Sequence, residues 1–288
     1  MIPHRPKGLP RAGDSVLHQL WEDTLGRIGL IGVSLVVLVA VFAPVFARYD
    51  VAKMIKGAKL LPPCAQYWFG TDQFGRDVFS RIVYGARVSL LVGLLSVTIS
   101  AVFGFLFGIL AGYFKGKTET VIMMVMDIIF AFPPILLALF IVSVLGSSIV
   151  NTMIAIGVVN IPVFTRTVRA SVKTVMETEY IKNARCVGVG RCSLIFHHIA
   201  PNILAPFFVQ ATLALSGAIL TEAIMSFLGL GIQPPAPSWG SMINESRKYM
   251  EGAPWLVVAP AVAISVTILS FNLLGDSLRD ILDPKLKM

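Results

Sequence analysis

Long apolar runs alternate with short polar stretches along the chain, and the runs are too uniformly apolar to be one face of a soluble helix. Ile28 to Ala47, Val88 to Phe114 and Pro254 to Gly275 contain no charged residue, and Asn202 to Leu228 contains one, Glu222. Each is long enough to cross a bilayer, which takes about 20 apolar residues. Val121 to Thr165, interrupted only by Asp127, is about twice that length and must fold back on itself; Gly146-Ser147-Ser148 is where it turns. The pattern predicts an all-α polytopic membrane protein of six transmembrane helices, preceded by a short helix near Val16 to Leu25. The expected organisation is an N-terminal segment 1–27, a first transmembrane helix 28–47, an external loop 48–87, a five-helix core 88–275 that includes a cytoplasmic loop 166–200, and a tail 276–288. The first run is expected to stay in the mature protein, being too long for a signal-peptide core.

Composition agrees: 56% of the 288 residues are hydrophobic and 14% charged, and mean hydropathy is +0.78. A soluble domain carries about 25% charged residues, so an ordinary soluble fold is excluded. Cys64, Cys186 and Cys192 fit neither a disulfide framework nor metal spacing and are read as packing residues.

The net charge of +8 could suit nucleic acid, but the 24 Lys and Arg lie in the loops between apolar runs, where they act as topology signals. Nucleic acid is therefore not an expected partner. Placing both termini in the cytoplasm puts fifteen basic residues inside and nine outside. The exception is the first external loop, which holds seven of the nine: Arg48, Lys53, Lys56, Lys59, Arg76, Arg81 and Arg87. Phe79, Ile82 and Val83 beside Arg76, Asp77, Ser80 and Arg81 predict a helix lying along the membrane face there, to meet a partner protein or to cap the bundle.

Ala111 to Thr118 fits a relaxed phosphate-loop pattern, but it lies between two spans rather than between a strand and a helix, so it predicts a cytoplasmic turn. In the loop after the fourth span, Met176 to Arg185 predicts a short helix with Tyr180, Ile181, Ala184 and Val187 on one face and Glu179, Lys182 and Asn183 on the other, followed by Gly188 and Gly190. Such a helix can dock as a knob in a partner's groove, or lie on the membrane surface; its spacing alone does not choose.

Asp127 and Glu222 are the two acids inside apolar runs and are candidates for a polar path through the bundle, or for polar contacts that orient packing. Glu222 could instead sit at the outer interface. Pro133-Pro134 and Pro162 predict kinks. Gly104, Gly108 and Gly112, at i, i+4 and i+8, predict close helix packing. Met123, Met124 and Met126 predict adaptable packing. His197-His198 lacks companions at metal-ligand spacing, and no nucleophile and base constellation is present.

Four segments carry a resemblance to a known family. The first is Glu179-Tyr180-Ile181-Lys182-Asn183-Ala184-Arg185-Cys186-Val187-Gly188-Val189-Gly190 with His198-Ile199-Ala200-Pro201-Asn202. It resembles the cytoplasmic loop of bacterial ATP-binding cassette (ABC) importer permeases, keeping Gly188 and Pro201 and departing at Lys182, Asn183 and Ala200. Gly70-Thr71-Asp72-Gln73-Phe74-Gly75-Arg76-Asp77-Val78-Phe79-Ser80-Arg81, Ser226-Phe227-Leu228-Gly229-Leu230-Gly231 continuing to Trp239-Gly240, and Phe271-Asn272-Leu273-Leu274-Gly275-Asp276 through Asp283-Pro284 are similar to the dipeptide, oligopeptide and nickel permeases. The resemblance covers roughly residues 25 to 287 and points to the second, C-type, subunit.

This resemblance implies a MetI-like permease fold in a bacterial cytoplasmic membrane. It implies a heterodimer with a second, related permease, two cytoplasmic ATPase subunits that hold the ATP and magnesium, and an extracytoplasmic binding protein. The chain itself would bind no cofactor and catalyse nothing. Glu179, Tyr180, Asn183, Ala184, Arg185, Gly188 and Gly190 would couple it to the ATPases by alternating access. Gly70, Thr71, Asp72, Gly75, Arg76, Asp77, Ser80 and Arg81 would form the external family motif. Dipeptides or oligopeptides are the expected substrates, with nickel complexes or glutathione as alternatives within the family. An autonomous secondary transporter or channel, using Asp127 and Glu222 as ion sites, is the reading from another class.

Overall fold

A computed structural model describes residues 16–282. Arg5, Lys7, Arg11, Lys285 and Lys287, five of the fifteen basic residues counted on the cytoplasmic side, and the Asp283-Pro284 of the family-like ending lie outside the described residues. Helices α1 (Val16–Glu22), α2 (Thr24–Val41) and α3 (Ala43–Phe46) open the fold. Asp23 caps α2: its carboxylate accepts from Gly26 N at 2.7 Å and from Ser277 Oγ at 2.6 Å, tying the helix start to the far end of the chain. The Ser277 hydrogen bond holds the Asp23 carboxyl below its ordinary value.

Helix α4 (Val78–Tyr113) is a single 36-residue helix. It begins ten residues before the predicted span because Asp77 caps it, accepting from Ser80 N at 2.8 Å and Ser80 Oγ at 2.6 Å. The expected helix along the membrane face is therefore the first turns of α4, with Val78 and Val83 buried rather than resting on lipid. The phosphate-loop look-alike is the end of α4 and the turn, with φ +79° at Gly116, that leads into α5 (Lys117–Phe130).

Helix α5 and α6 (Pro134–Leu145) together pass for one span but meet at 86°. Pro134 has no N–H to donate, and each proline disfavours helix in the residue before it, so Pro133-Pro134 breaks the span rather than kinking it. The predicted turn at 146–148 follows, and Ser148 caps α7 (Ile149–Met176), accepting from Asn151 N at 3.1 Å. Among the described residues five helices are long and apolar enough to cross a membrane, and six crossings result when the bent pair counts as one.

Helix α7 continues eleven residues past the predicted end of its span, so loop 166–200 is largely helical: α8 (Glu179–Cys186), α9 (Arg191–Ser193) and a π-helical turn Leu194–Ile199 lead into α10 (Ala200–Phe227). Pro201 cannot donate to the carbonyl four residues back, and the helix widens just before it. Helix α11 (Trp239–Ser246) and a 3₁₀ turn (Arg247–Tyr249) precede α12 (Trp255–Leu282).

Packing follows the glycines. A Cβ on Gly104, Gly108 or Gly112 of α4 would fall 2.3, 2.5 or 2.6 Å from the Cβ of Phe164, Val168 or Val172 of α7, as the i, i+4, i+8 stripe predicts. Gly29 of α2 meets the backbone of Leu274 on α12 in the same way. All three cysteines are free and exposed, which corrects their reading as packing residues.

Candidate functional site

On the face that carries α8, Thr178 starts the helix in extended conformation, and Glu179 in its first turn and Arg185 in its last suit the helix dipole. Ile181 is wholly buried among Met176, Leu194, Ile199 and Ile203. Ala184 packs against that cluster, but Tyr180 (43% exposed) and Val187 (84%) point away. The predicted apolar face is thus split: one edge seats the knob, and Tyr180 and Val187 are left outward, Val187 because it lies past the helix end. Arg185 reaches back to the Tyr113 ring at 5.7 Å and to Met176 Sδ at 3.1 Å, linking the knob to the ends of α4 and α7. Asn183 is exposed. Gly188 ends the helix at φ +84°, with Val189 N bonding back to Ala184 O at 3.1 Å. Neither Gly188 nor Gly190 has an atom of this chain within 4 Å of where a Cβ would stand, so Gly188 serves backbone conformation rather than a close approach within the chain.

On the opposite face the external motif folds on itself. Thr71, Asp72, Arg76, Asp77, Ser80 and Arg81 are at most 5% exposed. Asp72 accepts from Phe74 N and Arg76 N at 2.9 Å and from Arg76 Nε at 2.5 Å. Arg76 also reaches Glu245 on α11 at 2.5 Å, and Arg81 lies 3.8 Å from Asp72 and 3.6 Å from Glu245. Thr71 Oγ1 donates to Ala58 O and accepts from Leu61 N at 2.9 Å. Gly75 holds the turn at φ +78°, where a Cβ would come 2.4 Å from Ile55 O, and a Cβ on Gly70 would come 2.5 Å from Leu61 O. Two arginines thus face two carboxylates, and two of the seven basic residues of the first external loop are not free charges. Glu245 carries no local sign of this role, because Arg76, its hydrogen-bonded partner, lies 169 residues away; the local signal is the Ser238 to Ser241 cap that starts α11.

Glu222 is fully buried between α4 and α10, not at a wetted interface: Ser89 donates to one oxygen at 2.8 Å and Ser226 to the other at 2.7 Å. Asp127 is the reverse. Its side chain is 60% exposed and takes Arg166 at 2.6 Å, and Arg166 in turn lies 4.3 Å over the Phe130 ring. Along the same faces of α5 and α7, Glu119 accepts from Arg169 and, at 2.5 Å, from Lys173. An open groove along α5, edged by Arg169 of α7, has a volume of about 650 Å³. Of the three methionines, Met126 is buried, whereas Met123 and Met124 line the groove. No group of three His, Cys, Asp or Glu among the described residues is placed to hold a metal. The structure therefore keeps the predicted residues in four separate places: the knob, the external motif, the enclosed Glu222 and the exposed Asp127.

A bundle of up to six crossings, with a seated helical knob on one face and a locked polar cluster on the other, defines a polytopic helical membrane protein. Residues 104–288 match the family described as binding-protein-dependent transport system inner membrane component, and residues 13–63 match the N-terminal TM domain of oligopeptide transport permease C. The chain is 47% identical over 93% of its length to a dipeptide transport system permease protein DppC of Alkalihalophilus pseudofirmus, covering 88% of that protein. It is 44% identical over 95% of its length to a di/tripeptide transport system permease protein DppC of Pseudomonas aeruginosa, covering 93% of it. A glutathione transport system permease protein GsiD of Pectobacterium atrosepticum is 41% identical over 88% of the chain and is covered over 85% of its length. The chain belongs to the binding-protein-dependent transport system inner membrane component family, the permease subunits of ABC importers.

Proposed function

We propose that this chain is one of two related permease subunits of an importer for dipeptides and other short peptides in a bacterial cytoplasmic membrane. Two ATPases dock on α8, a binding protein delivers peptide to the face that carries α11, and the chain itself neither hydrolyses ATP nor holds a cofactor. The observation that carries the reading is the seat of α8: Ile181 is buried in the core that joins α7 to α10, while Tyr180, Asn183 and Val187 face outward for a partner. A helix anchored in that way transmits force, because moving it moves α7 and α10. The peptide-permease names of the relatives support short peptides as cargo.

Both termini are assigned to the cytoplasm. Fifteen basic residues fall on that side and nine on the other, which is the direction of the positive-inside rule. The external motif, locked to α11, forms a rigid platform for the binding protein. Asp127 is assigned to the translocation path. Glu222, wholly enclosed by hydroxyls, is assigned to fixing α10 against α4.

The test is to purify the chain with its native partners and identify the ligand on the co-purifying binding protein. Peptide-stimulated ATP hydrolysis that is lost on Gly188→Val, with the complex still assembled, is the expected result. Transport by the purified single chain without any ATPase would overturn it in favour of a secondary transporter.

A further inference from the structure

We infer that the groove between α5 and α7 is a station that holds a short peptide by both its ends during passage. Asp127 receives the ammonium group, Arg169 and Lys173 receive the carboxylate, and Met123, Met124 and Ile128 lie under the variable side chains. This inference rests on the peptide-import reading above.

The argument starts from where the charges stand. Asp127 lies ten residues into α5, about 15 Å from its start, yet its side chain is 60% exposed, and Arg166 beside it is 41% exposed. Charged groups at that depth do not face hydrocarbon; they face water or a polar occupant. The 86° turn after Phe130 carries α6 away and leaves this side of α5 uncovered.

The charges are unevenly divided. At one end two cations, Arg169 and Lys173, share the single carboxylate of Glu119, an excess of one positive charge, and Lys173 is 38% exposed. At the other end Asp127 and Arg166 balance, and the carboxylate is the more exposed of the pair while the guanidinium stacks on Phe130. Because Asp127 is the more exposed member of its pair, an ammonium can add to its free side without displacing Arg166, so an occupant with a carboxylate at one end and an ammonium at the other finds a partner at each end; a simple anion uses only the first.

Length and lining agree. Glu119 and Asp127 are eight residues apart on one helix, about 12 Å, and an extended tripeptide spans about 10 Å at 3.3–3.6 Å per residue. Met124 (58% exposed) and Ile128 (59%) give the floor an apolar surface, and unbranched methionine adapts to side chains of differing shape. A machine that moves many peptides needs that combination: fixed recognition of the constant ends and a yielding surface for the rest.

The experiment uses the complete importer in proteoliposomes and a tripeptide carrying a photoreactive benzoylphenylalanine. With loaded binding protein and ATP, adducts are expected on residues 117–131, displaced by excess unmodified tripeptide. Asp127→Asn and Arg169→Gln should each lower tripeptide uptake about tenfold or more, the worth of one charged hydrogen bond. Met124→Trp, which fills the floor, should reduce tripeptide uptake more than dipeptide uptake. Peptide uptake by the wild type with adducts only elsewhere, or with uptake unchanged in both charge variants, overturns the station and leaves the import reading standing. Loss of complex assembly in both charge variants, with no adducts in the wild type, also overturns it and makes the groove an interface with the second permease. No peptide uptake by the wild type overturns the import reading itself.

Discussion

A single methyl group added to Gly108 tests how α4 and α7 are held together. That Cβ would stand 2.5 Å from Val168 Cβ, 2.7 Å from Val168 Cγ1 and 2.9 Å from Thr165 O. Non-bonded carbons rest at about 3.5–4.0 Å, so the helices must part by about 1 Å. The obstacles are a Cβ and a backbone carbonyl, which no rotamer change can move. Parting them also loosens Phe164 and Val172, both fully buried neighbours on the same stripe.

Gly217 in α10 supplies the control, because nothing lies within 4 Å of its Cβ position. Alanine is favoured over glycine inside a helix by about 1 kcal/mol, and both substitutions gain that. Gly217→Ala is therefore expected to be neutral or slightly stabilising. Gly108→Ala must set the same gain against an overpacking cost of about 1–3 kcal/mol and the loosening of its neighbours, for a net loss of about 1–2 kcal/mol. The assay is the apparent melting temperature of the purified protein in one detergent. Adding Val168→Ala, which removes Cγ1 but keeps Cβ, should restore part of the loss. Equal melting temperatures for Gly108→Ala and Gly217→Ala would refute the claim that the stripe exists for close approach.

Asp72→Asn leaves Arg76 and Arg81, 5% and 1% exposed, facing Glu245 alone. A loss of about 3–5 kcal/mol is expected for a broken buried ion pair, read as melting temperature and as protease cleavage in 48–77. Glu222→Leu strands the Ser89 and Ser226 hydroxyls at about 1–3 kcal/mol each. Glu222→Gln keeps an acceptor and should cost less, and the order of the two in a thermal-shift series decides the point. Because Asp23 has a lowered pKa through Ser277, its stabilisation is complete above the ordinary carboxylate value and is lost as pH falls through the lower folded value. Ser277→Ala should therefore flatten the acid limb of a melting-temperature profile.

The spans were legible because lipid imposes one rule on every outward residue, and a run such as Val88 to Phe114 can satisfy it only by being apolar throughout. The glycine stripe was legible for a related reason: no side chain but hydrogen fits where Val168 comes so close. Charge is different, since its sign and place along the chain do not say what stands opposite. Arg76 and Arg81 read as charges on a helix lying along the membrane face, and only the fold brings Glu245 to them, 169 positions from Arg76, and makes that helix the first turns of α4. Arg166, Arg169 and Lys173 likewise read as a basic loop, although their spacing of three and four residues already put them on one helical face. What that spacing could not supply was Glu119 and Asp127 on the neighbouring helix, which turn a stretch of topology signals into the wall of a groove. A charge inside an apolar chain therefore marks a place where the bilayer is not the neighbour, and only the fold says which neighbour replaces it: serine hydroxyls for Glu222, arginine and open space for Asp127.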